Sequence, residues 1–236
     1  MNAMNNELLA LWDSYLEELL TKQDTVKCLI ITGTDQVFSS GADISPASDL
    51  LPQGQAIDLG VILAQKFHPI IDKLNRLTCP IVMAVNGPCV GIACALALYG
   101  DIIIASDQAY FWLNFIDIGL APDGGSTYML PKLVGRQTAF RMAVLAEKIP
   151  AYEAQQLGLV HAVYPEQALE QAWQALAKKI QDHPASLVTA IVSLLDKADN
   201  QSLAQQLAHE QELQSKLGKQ AYFRECMMRK WSQKKS

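Results

Sequence analysis

The sequence predicts an α/β fold, and three observations carry that reading. Short apolar runs of strand length end at Gly or Asn, helical segments alternate with them, and 50% of the 236 residues are hydrophobic, enough to build a substantial core. Leu8, Leu9, Leu11, Trp12, Leu16, Leu19 and Leu20 recur at helical spacing, so residues 5–22 read as an amphipathic helix. Residues 26–33 follow as an apolar strand ending at Gly33, the pattern of a parallel strand covered on both faces.

A polar loop through Asp35 and Gln36 leads to residues 37–44. Residues 45–56, rich in Pro, Ser and Gly, read as a mobile surface segment, and 57–77 regain helical periodicity. Residues 80–86 form the next strand, which stops at Gly87-Pro88, and 91–98 read as a helix dense in small residues, able to pack closely on a sheet. Strands at 101–105 and 109–112 precede the loop of residues 120–127. A helix from Thr127 breaks near 133–135 and resumes over 136–147, then come a helical turn at 151–156, a strand at 159–163 and a helix at 166–181. Beyond His183-Pro184 the pattern is wholly helical and partly Gln-rich, which divides the chain into a core of residues 1–183 and a helical region of 184–236.

Composition excludes several functions. A net charge of −5 with scattered Lys and Arg leaves no nucleic-acid footprint, and the basic end at Arg229-Lys230 and Lys234-Lys235 reads as a solvated terminus. Cys28, Cys79, Cys89, Cys94 and Cys226 show no CxxC spacing, and four of them lie in apolar runs, as in a reducing cytoplasm. The longest apolar run, 89–99, is too short to span a bilayer, and no signal-peptide pattern opens the chain. Dinucleotide, Walker A, HExxH and GxSxG patterns are absent, and His68, His161, His183 and His209 fall in unrelated contexts, so no metal site and no cofactor are expected.

One residue stands out. Asp123 is the only carboxylate between Asp117 and Glu147, behind Pro122 and ahead of Gly124-Gly125 at the start of a helix. It reads either as a helix N-cap, which satisfies orphan amides without chemistry, or as a proton carrier in an apolar setting.

Three ordered motifs decide between these. The runs 38–44 (Phe-Ser-Ser-Gly-Ala-Asp-Ile), 80–87 with Gly91, and 119–127 (Gly-Leu-Ala-Pro-Asp-Gly-Gly-Ser-Thr), with Gly158-Leu159-Val160 behind them, resemble the crotonase (enoyl-CoA hydratase/isomerase) superfamily in order and spacing over nearly the whole chain. The resemblance implies a spiral of ββα turns with a helical C-terminal oligomerisation region, an acyl-CoA thioester as substrate, and a homotrimer or hexamer. It implies an oxyanion hole formed by the backbone N–H groups of Ala42 and Ile92, the latter directly after Gly91. Each such donor is worth about 3–4 kcal/mol when aimed at developing charge. Ser40, Asp43 and Ile44 are carried over as CoA-side residues, and Trp112, Phe115 and Leu120 as apolar surroundings of Asp123.

The departures from the family pattern select the chemistry. The two glutamates of the family's hydratases would fall at Ala95 and Phe115, and neither side chain can hold a water or move a proton. Asp123 occupies the position of the acid/base carboxylate in the family's Δ3,Δ2-enoyl-CoA isomerases, so a 1,3-proton shift in fatty-acid or related acyl-CoA breakdown is the leading expectation. Alternatives are another acyl-CoA reaction on this fold, of hydratase or dehalogenase type, and an inactive paralogue that binds CoA or only assembles. The opening at Met1–Asn5 looks like the family segment after its first β-hairpin, so that hairpin reads as missing: either the true start lies upstream of Met1, or the protein is natively shortened and binds CoA differently.

Overall fold

Four short apolar strands lie side by side in parallel. The computed structural model describes residues 1–23, 25–45, 51–53 and 56–233. Strands β1 (Leu29–Thr32), β2 (Ile81–Val85), β4 (Ile102–Ser106) and β7 (Ala162–Tyr164) form one sheet in the order β1-β2-β4-β7, all neighbours parallel. A smaller sheet joins β3 (Cys89–Val90), β5 (Tyr110–Trp112) and β6 (Ile149–Pro150), with β3 and β5 parallel.

The helices of this unit are α1 (Asn6–Thr21), α2 (Leu59–Ile62), α3 (His68–Arg76), α4 (Ile92–Ala97), α5 (Ser126–Val144), α6 (Ala151–Gln156) and α7 (Leu169–Gln181). A π-helical turn, Leu63–Phe67, links α2 to α3. Two successive repeats have the same form: β2-β3-α4 and β4-β5-α5 each place one strand in the large sheet, the next in the small sheet, and then a helix.

Side chains alternate across the large sheet, as the two-residue period of a strand requires. Ile81, Met83 and Val85 join the main core with Ile103 and Ala105. Val82, Ala84 and Ile104 face the other way, against Leu169, Trp173 and Leu176 of α7. Every residue of β2 is buried, which accounts for its unbroken apolar run.

The differences from the sequence reading are at element ends, where backbone bonds compete. The strand read at 26–33 begins only at Leu29, because the N–H groups of Thr25 and Val26 bond back to the Lys22 carbonyl at the end of α1. The strand read at 159–163 begins at Ala162, because Leu159 and Val160 both donate to the Ala154 carbonyl and close α6. The helix read to 147 stops at Val144, with Leu145 and Glu147 both donating to Arg141 O. The break read near 133–135 is present, at Gly135 with φ 75° and ψ 161°. The segment read as mobile over 45–56 falls largely outside the described residues; within it, Leu51–Gln53 is a 3-10 turn.

By its internal contacts the chain divides into residues 1–182 and residues 183–236. The second unit holds α8 (Ala185–Ala198), α9 (Leu203–Leu217) and α10 (Ala221–Gln233). A capping box starts α9: the Gln205 N–H donates to Ser202 Oγ, and the Ser202 N–H donates to the Gln205 side chain. Among the described residues no helix is long and apolar enough to cross a membrane.

The ends of β1 and β2 hold the loop of residues 34–38 without side chains in the way. Gly33 N–H donates to Asn86 Oδ1 at 3.0 Å, and Asn86 Nδ2 donates to Asp35 O at 2.8 Å. A methyl at Gly87 would overlap the Gln36 carbonyl oxygen and stand 3.2 Å from Val37 Cα. Gly87→Ala is therefore expected to lower stability by about 1–3 kcal/mol, read as a lower urea midpoint; an unchanged midpoint would show that this close approach is not needed.

Candidate active site

The chain leaves the clamped 34–38 loop as an extended segment laid beside residues 88–91. Ser39 bridges Cys89 in parallel: Ser39 N–H donates to Pro88 O at 3.1 Å and Val90 N–H to Ser39 O at 3.0 Å. On the other side, Met4 bridges Ala42. Met4 N–H donates to Gly41 O at 2.8 Å, and Asp43 N–H to Met4 O at 3.3 Å. Because successive peptide groups of an extended chain point to opposite sides, this pairing turns the Ala42 N–H away from Met4. Ala42 itself is exposed.

The two turns named from the motifs touch. A Cβ built on Gly41 would lie 2.8 Å from Val90 O and 3.7 Å from Gly91 Cα, so only glycine allows the 39–42 segment to approach this closely. Gly91 has φ 59° and ψ −129°, a conformation that side-chain-bearing residues avoid. Its N–H is used by Trp112 O at 2.8 Å, while its carbonyl accepts from Cys94 and Ala95 to open α4. Ile92 is the first residue of that helix, where an N–H has no intrahelical acceptor.

Asp123 sits on the same helix through the main chain that follows it. A Cβ at Gly124 would come within 2.9 Å of Ala95 Cβ and 3.3 Å of Ile92 Cγ1, so the loop packs directly on the middle and start of α4. Tyr99, just past the end of α4, donates its hydroxyl to Gly124 O at 3.0 Å. Gly124 and Gly125 have φ of 59° and 79°, which two consecutive residues with side chains would resist.

The helix-cap reading of Asp123 does not hold. Gly125 is the N-cap residue of α5, with no side-chain cap, and the group that accepts from Ser126 N–H (3.1 Å) and Ser126 Oγ (2.8 Å) is the main-chain carbonyl of Asp123. The carboxylate is left over. Its Oδ1 is buried and, among the described residues, has no hydrogen-bond partner. Burial alone pushes its pKa up from 3.8 to about 6, since desolvation penalises the charged form.

The other residues named from the sequence have surroundings of their own. Ala42, Asp43 and Ile44 line a cavity of about 470 Å³ together with Met4, Leu59 and Lys66. Asp43 braces its own loop: Oδ1 accepts from Ser45 N–H (3.0 Å) and Ser45 Oγ (2.6 Å), and these bonds hold its pKa below the ordinary value. Ser40 N–H donates to Met1 O. Trp112 reaches the site by its carbonyl on Gly91; its indole N–H donates to Ala146 O at 2.8 Å and its ring lies 4.2 Å from Lys148 Nζ.

Phe115 is buried in the main core, and its carbonyl accepts from Ile118 and Leu120. Leu120 is 37% exposed. Among the described residues, no group of three or more His, Cys, Asp or Glu is placed to hold a metal ion.

Two neighbours of the site were not read from the sequence. Tyr99 is one, and Asn114 is the other, with its Oδ1 3.5 Å from where a Gly91 Cβ would stand. The signal for Tyr99 was a single phenol at the end of an apolar run, since a buried hydroxyl needs a partner. Asn114 carries no comparable mark.

A family model for enoyl-CoA hydratase/isomerase matches residues 1–235. The chain belongs to this crotonase family. The 1,2-epoxyphenylacetyl-CoA isomerase of Escherichia coli K12 is 32% identical over 225 residues, covering 95% of this chain and 85% of its own length. The 2,3-dehydroadipyl-CoA hydratase of the same organism is 34% identical over 213 residues, covering 90% and 80%. The structure of Pseudomonas aeruginosa DspI matches with a TM-score of 0.84 at 27% identity, over 98% of this chain and 86% of that one. The two E. coli relatives carry the names of an isomerase and a hydratase, so the site itself must discriminate between reactions.

The unpartnered carboxyl gives a direct test. Between pH about 4 and about 6 the folded protein holds a proton on Asp123 that the unfolded chain has released, so wild-type stability falls as pH rises through that window. Asp123→Asn removes this titration. The variant is expected to be more stable than wild type at pH 7.5 by about 1 kcal/mol, after allowing for partial solvent contact, with no gain at pH 4. Carbon-13 NMR of labelled Asp carboxyls should show one resonance, absent in Asp123→Asn, with a midpoint near 6; an ordinary midpoint would remove the case for a tuned group.

Proposed function

We propose that this protein is a Δ3,Δ2-enoyl-CoA isomerase, moving the double bond of a 3-enoyl-CoA to the 2 position with Asp123 as the single acid/base. The observation that supports this most is the Asp123 carboxyl. It is half-buried and basic, its buried Oδ1 has no hydrogen-bond partner among the described residues, and it is carried by a loop packed on the helix that begins at Ile92.

In the proposed reaction the Asp123 carboxylate takes a proton from C2 of the 3-enoyl thioester. The electron pair spreads through the thioester carbonyl, whose oxygen accepts from the Ala42 and Ile92 amides, and the carboxyl returns the same proton to C4. A base with a pKa near the working pH serves both halves of this transfer. Backbone donors at Ala42 and Ile92 would stabilise the enolate oxygen without needing a particular side chain. The thioester carrier is coenzyme A, and no other cofactor is required by this scheme.

Two further features favour isomerisation over hydration. Ala95 is fully buried against Gly124, so no carboxylate can stand there to orient a water. Phe115 is likewise a buried ring in the core. The exposed Leu195, Leu203, Leu207, Phe223 and Trp231 of the helical region suit a homo-oligomer, which is part of the same proposal.

Incubation with a 3-enoyl-CoA should give the 2-enoyl-CoA, with no hydration of a 2-enoyl-CoA under the same conditions. Asp123→Asn should lower kcat by about 10²–10⁴-fold with KM nearly unchanged, and wild-type activity should rise with pH through about 6. Absence of the 2-enoyl product, or equal activity in the variant, would sink the assignment.

A further inference from the structure

We propose that Tyr99 is a positioning residue for Asp123: its hydroxyl, bonded to the Gly124 carbonyl, fixes against α4 the loop that carries the carboxyl. The inference rests on Asp123 being the acid/base, and it concerns how that group is held.

Helix α4 touches the Asp123 loop at three levels. Ile92 at its start and Ala95 in its middle contact the space beside Gly124, and Tyr99 beyond its end reaches Gly124 O at 3.0 Å. Tyr99 is itself fixed to the helix, with its N–H donating to Leu96 O at 3.2 Å. On the loop, the Asp123 carbonyl is taken by Ser126 and the Gly124 carbonyl by Tyr99. Both carbonyls after the Asp123 Cα are thus anchored while the carboxyl's buried Oδ1 is unbound. The main chain holds the group, and the reactive atoms remain available.

The hydroxyl also shapes the loop sterically. A methyl on Gly125 would overlap the Tyr99 oxygen, whereas the ring carbon that bears it is 3.5 Å away, an ordinary contact. Burial raises the Tyr99 phenol above its usual pKa, so it remains a neutral donor wherever Asp123 titrates. Its acceptor is a carbonyl, which fixes the direction of the bond.

The test is Tyr99→Phe, which keeps the ring and removes the bond. The expected result is a fall in kcat of about 5–20-fold with KM within about two-fold. With the loop loosened, water reaches the carboxyl. The acidic limb of the pH–rate profile and the Asp123 carbon-13 midpoint should both move down from about 6 toward the ordinary carboxylate range. Gly125→Ala should cost at least about three-fold less activity in the Tyr99→Phe background than in wild type, because the overlap is gone.

An unchanged kcat and an unchanged Asp123 midpoint in Tyr99→Phe would overturn the inference. So would an activity loss fully accounted for by loss of folded protein, with kcat per folded molecule intact. Loss of activity in Asp123→Asn beside a wild-type Tyr99→Phe enzyme defeats this inference alone. Full activity in Asp123→Asn defeats the acid/base reading, and the carbon-13 midpoint still reports on Tyr99.

Discussion

The close approach of the 123–125 main chain to α4 is the constraint on which the rest of the site depends. It exists because three adjoining positions have almost no side chain: Ala95 on the helix, and Gly124 and Gly125 on the loop. Two consecutive residues at positive φ are costly to order, and glycine loses more freedom on folding than any other residue. Hydrogen bonds from Ser126 and Tyr99 to the loop carbonyls offset that cost. The result is a helix N-terminus capped by main chain, which releases the one nearby carboxylate from the structural role its position invites.

That release is expensive locally. A buried acceptor without a partner costs about 1–3 kcal/mol, and Asp123 Oδ1 is such an atom. Asp43 shows the ordinary alternative within the same unit: two bonds from Ser45 satisfy its carboxylate and keep it acidic. Two aspartates with opposite environments separate the roles, one bracing a loop and the other left basic by burial. The fold tolerates the second because the remaining contacts of its loop are satisfied.

The alternation of strands and helices was legible because β2 and most of β4 are buried on both faces and read as unbroken apolar runs. The break at Gly135 and the helical turn at Ala151–Gln156 were legible for similarly local reasons. Strand ends were not, since Thr25, Val26, Leu159 and Val160 are diverted by backbone bonds to preceding helices, and propensity carries no record of such competition. The two-residue strands Cys89–Val90 and Ile149–Pro150 are too short to show a period. In the candidate site, the Ala42, Gly91, Ile92 and Asp123 segments were named from motif order, and their glycines make close approaches in the structure. Residues alone left Asp123 undecided between cap and base, because its freedom is set by Tyr99 and Ala95, 24 and 28 positions earlier.

Ala95 and Asp123 are best understood as one feature. The position that the hydratase pattern gives to a glutamate is filled here by a methyl group against which the Gly124 main chain rests at van der Waals range. A longer side chain at 95 and the present loop cannot occupy the same space, so the small residue is the condition for docking the loop rather than a separate loss. The partial burial of the Asp123 side chain, with Oδ1 out of solvent, raises its basicity. On the proposed reading, a small residue at 95 with main chain packed on it leaves no place for a water-orienting group and keeps Asp123 as the base that moves a proton within the substrate.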